Sequence, residues 1–225
     1  MQSTTAAADL RARAQELGVP LEEAMCDKLM RLLDELAQWS RAYNLTAIET
    51  HSAMVTTHLL DSLSASPEIE GERIADVGTG AGFPGLPLAI VHPQRHFTLI
   101  DSTAKKVRFV AHAARALALG NVEPVHARAE SFRPAQPYDT IIARAVAPLP
   151  KLAELARALS GPGTRLIAMQ GKRPDADLQR IPADWELLRV RELVVPGLRA
   201  DRCLVVLRAH PAPSGTAGSP ARPSS

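Results

Sequence analysis

Apolar residues follow two different patterns along the chain, and the pattern changes near Arg73. Before that point they recur every three to four residues, which is typical of amphipathic helices. After it, short apolar runs of strand length alternate with helical stretches. The predicted strands cover residues 74–77, 96–101, 121–126, 138–145, 164–169, 185–195 and 203–208. The predicted helices between them cover residues 86–91, 104–119 and 149–159, and the latter two are followed by Gly120 and by Gly161.

The first 65 residues contain no run of strand length. A helix over residues 10–17 is followed by Gly18, a residue type that commonly ends helices. A second helix begins after Pro20, and a third is predicted over residues 52–64. The second helix carries an apolar stripe of helical period, which predicts that this face packs on a core. The stripe consists of Met25, Leu29, Leu32, Leu33, Leu36 and Trp39.

Strands that alternate with helices predict an α/β fold with a doubly wound, mostly parallel sheet. The last two strands have no long helix between them, and such a short connection predicts an antiparallel end strand. We therefore expect a helical N-terminal extension over residues 1–65 that packs on an α/β domain over residues 66–210. Residues 211–225 are rich in Pro, Ala and Ser, which predicts a disordered tail.

Composition narrows the class of protein. The 225 residues are 46% hydrophobic and 22% charged, values typical of globular proteins. No apolar run approaches the roughly 18 residues of a membrane span, and no secretory signal opens the chain, so we expect a cytoplasmic protein. Cys26 and Cys203 are too few for a disulfide framework, and we expect no metal site.

Charge is distributed unevenly. Residues 1–72 hold 5 basic and 12 acidic residues, whereas residues 73–225 hold 21 basic and 12 acidic ones. A basic domain suits a polyanionic partner such as nucleic acid, although many basic domains bind none.

The strongest local signal is the segment Asp76-Val77-Gly78-Thr79-Gly80-Ala81-Gly82, between a predicted strand and a predicted helix. Glycines let a backbone turn tightly and let a ligand approach it closely. Asp101 ends the next strand, where a carboxylate can accept hydrogen bonds from both hydroxyls of a ribose. Residues 80–85 also match the G-x-G-x-x-G fingerprint of dinucleotide binding. Pro84 and Pro87, however, interrupt the helix start that would hold a pyrophosphate.

The acidic residue two positions before Gly78 favours another ligand. The pattern D-x-G-x-G-x-G resembles motif I of the class I S-adenosylmethionine-dependent methyltransferases, in which the loop surrounds a cationic amino acid and a sulfonium. An acidic loop suits such a cation. A Rossmann-like methyltransferase is therefore favoured over an NAD-linked oxidoreductase, which stays the alternative.

A longer series of motifs is more specific. In order, the chain contains Tyr43-Asn44-Leu45-Thr46, His58-Leu59-Leu60-Asp61-Ser62, the glycine segment continued by Phe83-Pro84-Gly85-Leu86-Pro87, Leu99-Ile100-Asp101-Ser102, Lys105-Lys106-Val107-Arg108-Phe109 and Arg144-Ala145. Together they resemble the RsmG family, also called GidB, over residues 43–208. The resemblance implies methyl transfer from S-adenosylmethionine to N7 of one guanine in 16S rRNA of the small ribosomal subunit. The sequence leaves open whether the substrate is naked RNA, an assembly intermediate or the mature subunit, and we expect the protein to be a monomer.

The resemblance also implies roles for individual residues. By matching position, the cofactor contacts would come from Gly78, Phe83, Ala129, Glu130 and Arg144, and Arg144 would also orient the reactants. The broader class pattern adds Asp76 for the amino-acid end, Asp101 for the ribose, and the loop glycines Gly80 and Gly82.

RNA contacts are expected from basic residues near the mouth of the site. The candidates are Lys105, Lys106, Arg108, His58 and Lys172. For His58, a buried structural role is the competing interpretation. Gln170-Gly171-Lys172 departs from the Lys-Gly that family members often carry there, which puts a phosphate contact at Gln170 in doubt.

The absence of an obvious general base agrees with this chemistry, because N7 of guanine carries an in-plane lone pair and loses no proton. Catalysis could then be mostly alignment of the reacting atoms. A non-catalytic rRNA-binding protein that kept the fold remains a third possibility.

Overall fold

The computed structural model describes residues 2–43, 45–46 and 50–210. Their centre is a seven-stranded sheet. Its strands are β1 (Arg73–Val77), β2 (His96–Asp101), β3 (Val122–His126), β4 (Tyr138–Arg144), β5 (Ser160–Gln170), β6 (Trp185–Leu193) and β7 (Arg202–Ala209). The order is β3-β2-β1-β4-β5-β7-β6. The first five strands in this order run parallel, so all five end at the same edge of the sheet.

Helices cover both faces of this sheet, which confirms the predicted doubly wound α/β class. They are α1 (Gln2–Glu16), α2 (Glu23–Tyr43), α3 (His51–Met54), a π-helical segment (Val55–Leu60), α4 (Asp61–Leu63), α5 (Gly85–Val91), α6 (Ala104–Ala116), α7 (Leu149–Ala156) and α8 (Asp175–Leu178). None of the described helices is long and apolar enough to cross a membrane.

The predicted antiparallel end is confirmed, with one difference in its arrangement. The strand that runs against the others is β7, which lies between β5 and β6, while β6 forms the edge. A hairpin connection through residues 194–201 places β7 beside β6. Residue Arg202 at the start of β7 thereby lies level with the carboxyl ends of the parallel strands.

One buried cluster joins the N-terminal helices to the sheet. The predicted stripe on α2 supplies Leu29, Leu32, Leu33 and Leu36, each 0% exposed, and Met25 and Trp39 pack against the cluster. The same cluster contains Leu59 and Leu63, together with Ile74 of β1 and Phe97 of β2. The opposite face of the sheet is covered by α7.

Two predicted helix ends differ in outcome. Gly18 ends α1 with φ +76°, and Val19 N donates to Ala14 O at 3.0 Å, which confirms the glycine stop. The predicted stop at Gly120 is wrong. Ala118 takes the left-handed conformation there, with φ +50°, and Leu119 N donates to Ala114 O at 2.8 Å.

The third predicted helix is present but not regular. It runs from His51 to Leu63, and its middle is π-helical, a widened turn that is frequent at functional sites. Side chains bond the backbone along it, as where Ser62 Oγ donates to His58 O at 2.5 Å. The widened turn sets the directions in which His58 and Asp61 project.

The division of the chain at residue 65 stays a proposal about its folding units. The predicted disordered tail, residues 211–225, lies outside the described residues.

Candidate active site

The glycine segment forms a tight loop between β1 and α5. Gly78, Gly80 and Gly82 have φ values of +67°, +62° and +87°, a region that other residue types rarely adopt. The amides of Gly78 and Thr79 both donate to Ile100 O of β2, at 2.8 and 3.1 Å. The loop is thus anchored on the neighbouring strand at the carboxyl edge of the sheet.

The glycines differ in what surrounds them. A Cβ atom at Gly78 would lie 2.6 Å from Cγ2 of Val146, in the segment that follows β4. A Cβ atom at Gly80 would meet nothing within 4 Å. Gly78 therefore permits close packing inside the protein, whereas Gly80 leaves an open backbone surface that a ligand can approach.

Asp76 is fully buried at the end of β1. Its Oδ2 accepts hydrogen bonds from Thr79 Oγ1 at 2.6 Å and from Gly85 N at 2.8 Å. Its Oδ1 has no partner among the described residues. Burial raises the pKa of this carboxyl to about 6, against the opposing effects of the two hydrogen bonds and of the Arg144 charge. A cationic ligand group at Oδ1 would satisfy the free oxygen and favour its charged form.

Asp101 ends β2 and is tied to the same loop. Its Oδ2 accepts from Gly80 N at 2.9 Å, and its Oδ1 accepts from Thr103 N at 2.8 Å. These two bonds fix the position of the carboxylate, because one amide belongs to the glycine loop and the other to the segment that follows β2. Each oxygen keeps a further lone pair for a hydroxyl group.

A cleft opens between the segments that follow β1, β2, β3 and β4. It is lined by Gly78, Asp101, Ser102, Ala129, Glu130 and Val146, among others. The structure therefore brings together four of the predicted cofactor residues, Gly78, Asp101, Ala129 and Glu130. The other five predicted cofactor residues, Asp76, Gly80, Gly82, Phe83 and Arg144, lie outside this lining.

Arg144, Phe83 and His58 form a second cluster at the same edge. The Arg144 guanidinium lies 5.9 Å from the centre of the Phe83 ring, and the His58 ring stacks on that ring at 4.8 Å. Nη1 of Arg144 donates to Thr57 O at 3.1 Å and to Asp61 Oδ2 at 3.0 Å. The Phe83 side chain is buried in this cluster.

His58 is held in a neutral state. Its Nε2 lies 3.0 Å from Thr46 Oγ1, and its Nδ1 is buried without a partner in the described part of the chain. Burial, and next the charge of Arg144, lower the pKa of His58 to about 4. At neutral pH this side chain carries no charge, so any contact with RNA would be a hydrogen bond or a stack.

The predicted RNA-binding residues lie in two places. Lys105, Lys106 and Arg108 lie on the first turns of α6, where Nζ of Lys105 donates to Tyr43 O at 3.2 Å. Arg108 is exposed and Lys106 half-buried. Lys172 is exposed in the segment after β5. The motif beginning at Tyr43 thus contacts the start of α6.

Sequence reasoning gave no role to Asp61, Arg202 or Val146, all of which the structure places at this edge. Asp61 stands in an apolar helical stretch, and an isolated acidic residue there indicates a buried partner. The pairing of Asp61 with Arg202, 141 positions away, has no local signal. Ala145, the residue before Val146, has a φ of +53°, which is uncommon for residues other than glycine.

These features fit S-adenosylmethionine, a molecule with a cationic amino acid, a sulfonium and a ribose. The free oxygen of buried Asp76 suits an ammonium group, and the fixed carboxylate of Asp101 suits two hydroxyls. The glycine loop is bonded to both carboxylates, because Gly80 N donates to Asp101 and the neighbouring Thr79 Oγ1 donates to Asp76.

Comparisons with known proteins agree with this assignment. The GidB family model, described as rRNA small subunit methyltransferase G, matches residues 25–205. The Ribosomal RNA small subunit methyltransferase G of Pseudomonas syringae pv. tomato is 44% identical over 202 residues, which span 90% of this chain and 96% of that protein. The protein of the same name from Ectopseudomonas mendocina is 44% identical over 204 residues, with 90% and 95% covered.

A solved structure supports the fold. The structure described as a SAM dependent methyltransferase from Aquifex aeolicus superposes with a TM-score of 0.50 and 22% identity, covering 67% of this chain and 90% of that one. The predicted Rossmann-like methyltransferase fold is confirmed. With the family model matching most of its length, the chain belongs to the rRNA small subunit methyltransferase G family, GidB.

Proposed function

We propose that this chain transfers the methyl group of S-adenosylmethionine to N7 of one guanine in 16S rRNA of the small ribosomal subunit. The observation that carries the proposal is the pair of carboxylates at the glycine loop. Asp76 presents a free buried oxygen, and Asp101 is fixed by Gly80 and Thr103. Two carboxylates that are bonded to the same glycine loop suit a cationic nucleoside.

The same loop argues against a dinucleotide. In a dinucleotide site, free amides at the start of the helix bind the pyrophosphate. Here Gly82 N and Phe83 N donate to Thr79 O at 3.0 and 2.9 Å, and Gly85 N donates to Asp76. These amides already have acceptors within the protein and are not free to bind a phosphate. The buried carboxylate of Asp76 would also repel the negative charge of a phosphate. The NAD-linked alternative is therefore disfavoured by the loop itself.

The reaction needs little acid–base chemistry from the protein. The bound cofactor supplies an electrophilic methyl group on a sulfonium, and the electrons of the broken C–S bond stay on sulfur. N7 forms the new bond with its lone pair, and no proton leaves. The task of the protein residues is to align the base with the methyl group and exclude water, which can accelerate a reaction by many powers of ten.

Most of the predicted site residues receive a role in this scheme. Asp76 would bind the ammonium group, and Asp101 the ribose hydroxyls. Gly78, Ala129 and Glu130 would form the walls of the cleft. Arg144, fixed by Thr57 and Asp61, would orient the reactants from the end of β4. The stacked rings of Phe83 and His58 would support Arg144, whose guanidinium lies over the Phe83 ring.

The RNA would approach over the carboxyl edge. Lys105, Lys106 and Arg108 at the start of α6 would contact phosphates on one side of the cleft, and Lys172 on the other. The related proteins are named for small-subunit rRNA, which supports this choice of polyanion. We further propose that the chain acts as a monomer in the cytoplasm.

The test is methyl transfer from labelled S-adenosylmethionine to small subunits from cells that lack this activity. Borohydride and aniline treatment then cleaves RNA wherever a guanine carries a methyl group on N7. We expect incorporation and scission at one guanine of 16S rRNA. Incorporation without scission would place the methyl group on another atom. Binding of S-adenosylhomocysteine without incorporation into subunits or their assembly intermediates would favour a non-catalytic RNA-binding protein.

A further inference from the structure

Asp61 joins two arginines from distant parts of the chain. Its side chain is 2% exposed, and each carboxylate oxygen bonds one guanidinium. Oδ2 accepts from Arg144 Nη1 at 3.0 Å, and Oδ1 accepts from Arg202 Nε at 2.6 Å. The three residues come from α4, the end of β4 and the start of β7, which meet at the carboxyl edge.

This trio carries a net positive charge. In the described part of the chain, no acidic side chain other than Asp61 lies within 4 Å of the guanidinium of Arg144 or Arg202. One carboxylate therefore faces two guanidinium groups. His58 beside Arg144 adds no further charge at neutral pH, because burial lowers its pKa to about 4. The excess charge attracts an anion.

The two guanidinium groups also keep donors available. Arg144 bonds protein acceptors through Nη1, and Arg202 through Nε and through Nη1, which donates to Asp201 O at 2.9 Å. Within the described residues, Nη2 of each arginine has no acceptor. Both side chains are about a quarter exposed, so each guanidinium-bearing side chain is partly open to solvent at the carboxyl edge. A guanidinium matches the oxygens of a phosphodiester, and it does so in a fixed plane.

Stability alone does not explain such an arrangement. Desolvation of a buried ion pair often cancels its attraction, so hydrophobic residues could replace the trio at little cost. A buried carboxylate is effective at holding two like charges side by side. We infer that Asp61 is a positioning residue, which holds Arg144 and Arg202 as a paired site for one phosphodiester of the RNA beside the target base. The inference rests on the proposed function.

The chain offers a matched control. Glu68 is also nearly fully buried and lies within 3.5 Å of guanidinium nitrogens of Arg165, Arg189 and Arg191. Arg165 pairs with Thr140 near the start of β4, so this cluster is at the amino edge, at the opposite end of the parallel strands. Glu68→Gln removes a similar charge without touching the site.

The experiment measures methyl transfer to small subunits over a range of salt concentrations for Arg202→Gln, Asp61→Asn and Glu68→Gln. Arg202→Gln should raise KM for the subunits about fivefold, leave kcat within twofold, and reduce the slope of log kcat/KM against log salt by about 1, the loss expected for one phosphate contact. Asp61→Asn should raise KM by a similar factor and also lower kcat at least tenfold, because neither Arg144 nor Arg202 is then fixed. Glu68→Gln should lower Tm and change none of these constants.

Two results would overturn the inference. One is an unchanged salt slope in Arg202→Gln. The other is a set of kinetic constants in Asp61→Asn that equals that of Glu68→Gln, which would make Asp61 a structural residue. If Asp61→Asn does not fold, the salt slope of Arg202→Gln decides.

Failure of the proposed function is a separate outcome. If the wild-type protein transfers no methyl group, retention of labelled 16S rRNA on filters still measures the salt slope. A slope equal to that of the wild type in Arg202→Gln would then reject the phosphate site, and a slope lower by about 1 would support it.

Discussion

The amino and carboxyl edges of the sheet differ in how their polar groups are bonded. At the amino edge, Asp139 Oδ2 accepts from the amides of Glu72 and Arg73 at 2.8 and 2.9 Å. Thr140 Oγ1 donates to Glu70 O and accepts from Glu70 N. At the carboxyl edge, Asp76 Oδ1 is a carboxylate oxygen buried without a partner in the described part of the chain. Among the described residues, buried ring nitrogens without a partner occur at both edges, His58 Nδ1 at the carboxyl edge and Trp185 Nε1 at the amino edge.

Left-handed residues occur at both edges, with Gly78, Gly80, Gly82 and Ala145 at the carboxyl edge and Gly71 and Gly163 at the amino edge. The pKa of Asp76 at the carboxyl edge is raised to about 6, mainly by burial, whereas burial lowers the pKa of a histidine to about 4 at both edges, His58 at the carboxyl edge and His92 at the amino edge. The two edges share the same strands, so the difference does not come from the fold itself. It teaches that a buried carboxylate with a free oxygen marks the edge built to bind ligands, whereas left-handed glycines occur at both edges.

The largest expected effect concerns two glycines with the same environment at opposite edges. Gly80 and Gly163 have φ values of +62° and +85°, and a Cβ atom would meet nothing within 4 Å at either position. Gly80→Asn should weaken binding of S-adenosylhomocysteine about 100-fold, since its side chain fills the space of the ligand, equal to about 2.7 kcal/mol. Gly163→Asn should change the Kd less than twofold. Isothermal titration measures both.

Asparagine tolerates the left-handed conformation better than most residues, so both variants are expected to fold. A similar affinity loss in both variants would contradict the assignment of the cofactor to the carboxyl edge.

The next effect is on stability and belongs to the amino edge. Glu68→Gln should lower the free energy of unfolding by about 1–2 kcal/mol, because Arg189 and Arg191 lose their counter-charge and Arg165 keeps only Glu70 among the described residues. Urea denaturation measures this change. The Kd for S-adenosylhomocysteine should stay at the wild-type value, and a weakened Kd would show that the two edges are coupled.

The third effect is a pH dependence at Asp76. In the free protein its raised pKa means that the charged form is disfavoured, so this group costs stability as pH rises from about 4 through about 6. An ammonium group at Oδ1 favours the charged form, so binding of S-adenosylhomocysteine should tighten over the same rise. We expect the Kd to be roughly tenfold weaker at pH 5 than at pH 7.5.

Asp76→Asn removes the titrating group and serves as the control. Its Kd should be weak and nearly equal at the two pH values. A wild-type Kd that is independent of pH would argue against contact between Asp76 and the ammonium group.

The smallest effect concerns single phosphate contacts. Arg108→Gln at the start of α6 should raise KM for small subunits about threefold and leave kcat unchanged, because such contacts position RNA without taking part in the reaction. Arg208→Gln is the counterpart at the amino edge, where Arg208 pairs with Glu186. Equal KM changes in the two variants would show that the RNA surface is not confined to the carboxyl edge.

Much of the fold could be predicted because its signals are local. The alternation of strands and helices, the stripe on α2 and the glycine stop after α1 all depend on residues near each other in sequence. The helix end at Ala118 could not be predicted, because alanine has no preference for the left-handed conformation it adopts there. The π-helical turn before Asp61 likewise depends on packing and on side-chain bonds to the backbone rather than on a residue pattern.

In the candidate site, too, some features have local sequence signals and others do not. The positions of the glycine loop and Asp101 could be predicted from the sequence, because each directly follows a predicted strand and parallel strands end at one edge of the sheet. Val146 and Gly78 come into contact from segments that are far apart in sequence, and so do Asp61 and Arg202. Sequence spacing carries no information on such pairs, and only the assembled sheet reveals them.

The most direct test of the difference between the edges is hydrogen–deuterium exchange with and without S-adenosylhomocysteine. We predict slower exchange in residues 78–83, 101–103 and 127–130, and unchanged exchange in residues 66–73 and 160–166 at the amino edge. Protection of the amino edge, or no change in residues 78–83 when the ligand is bound, would contradict the account.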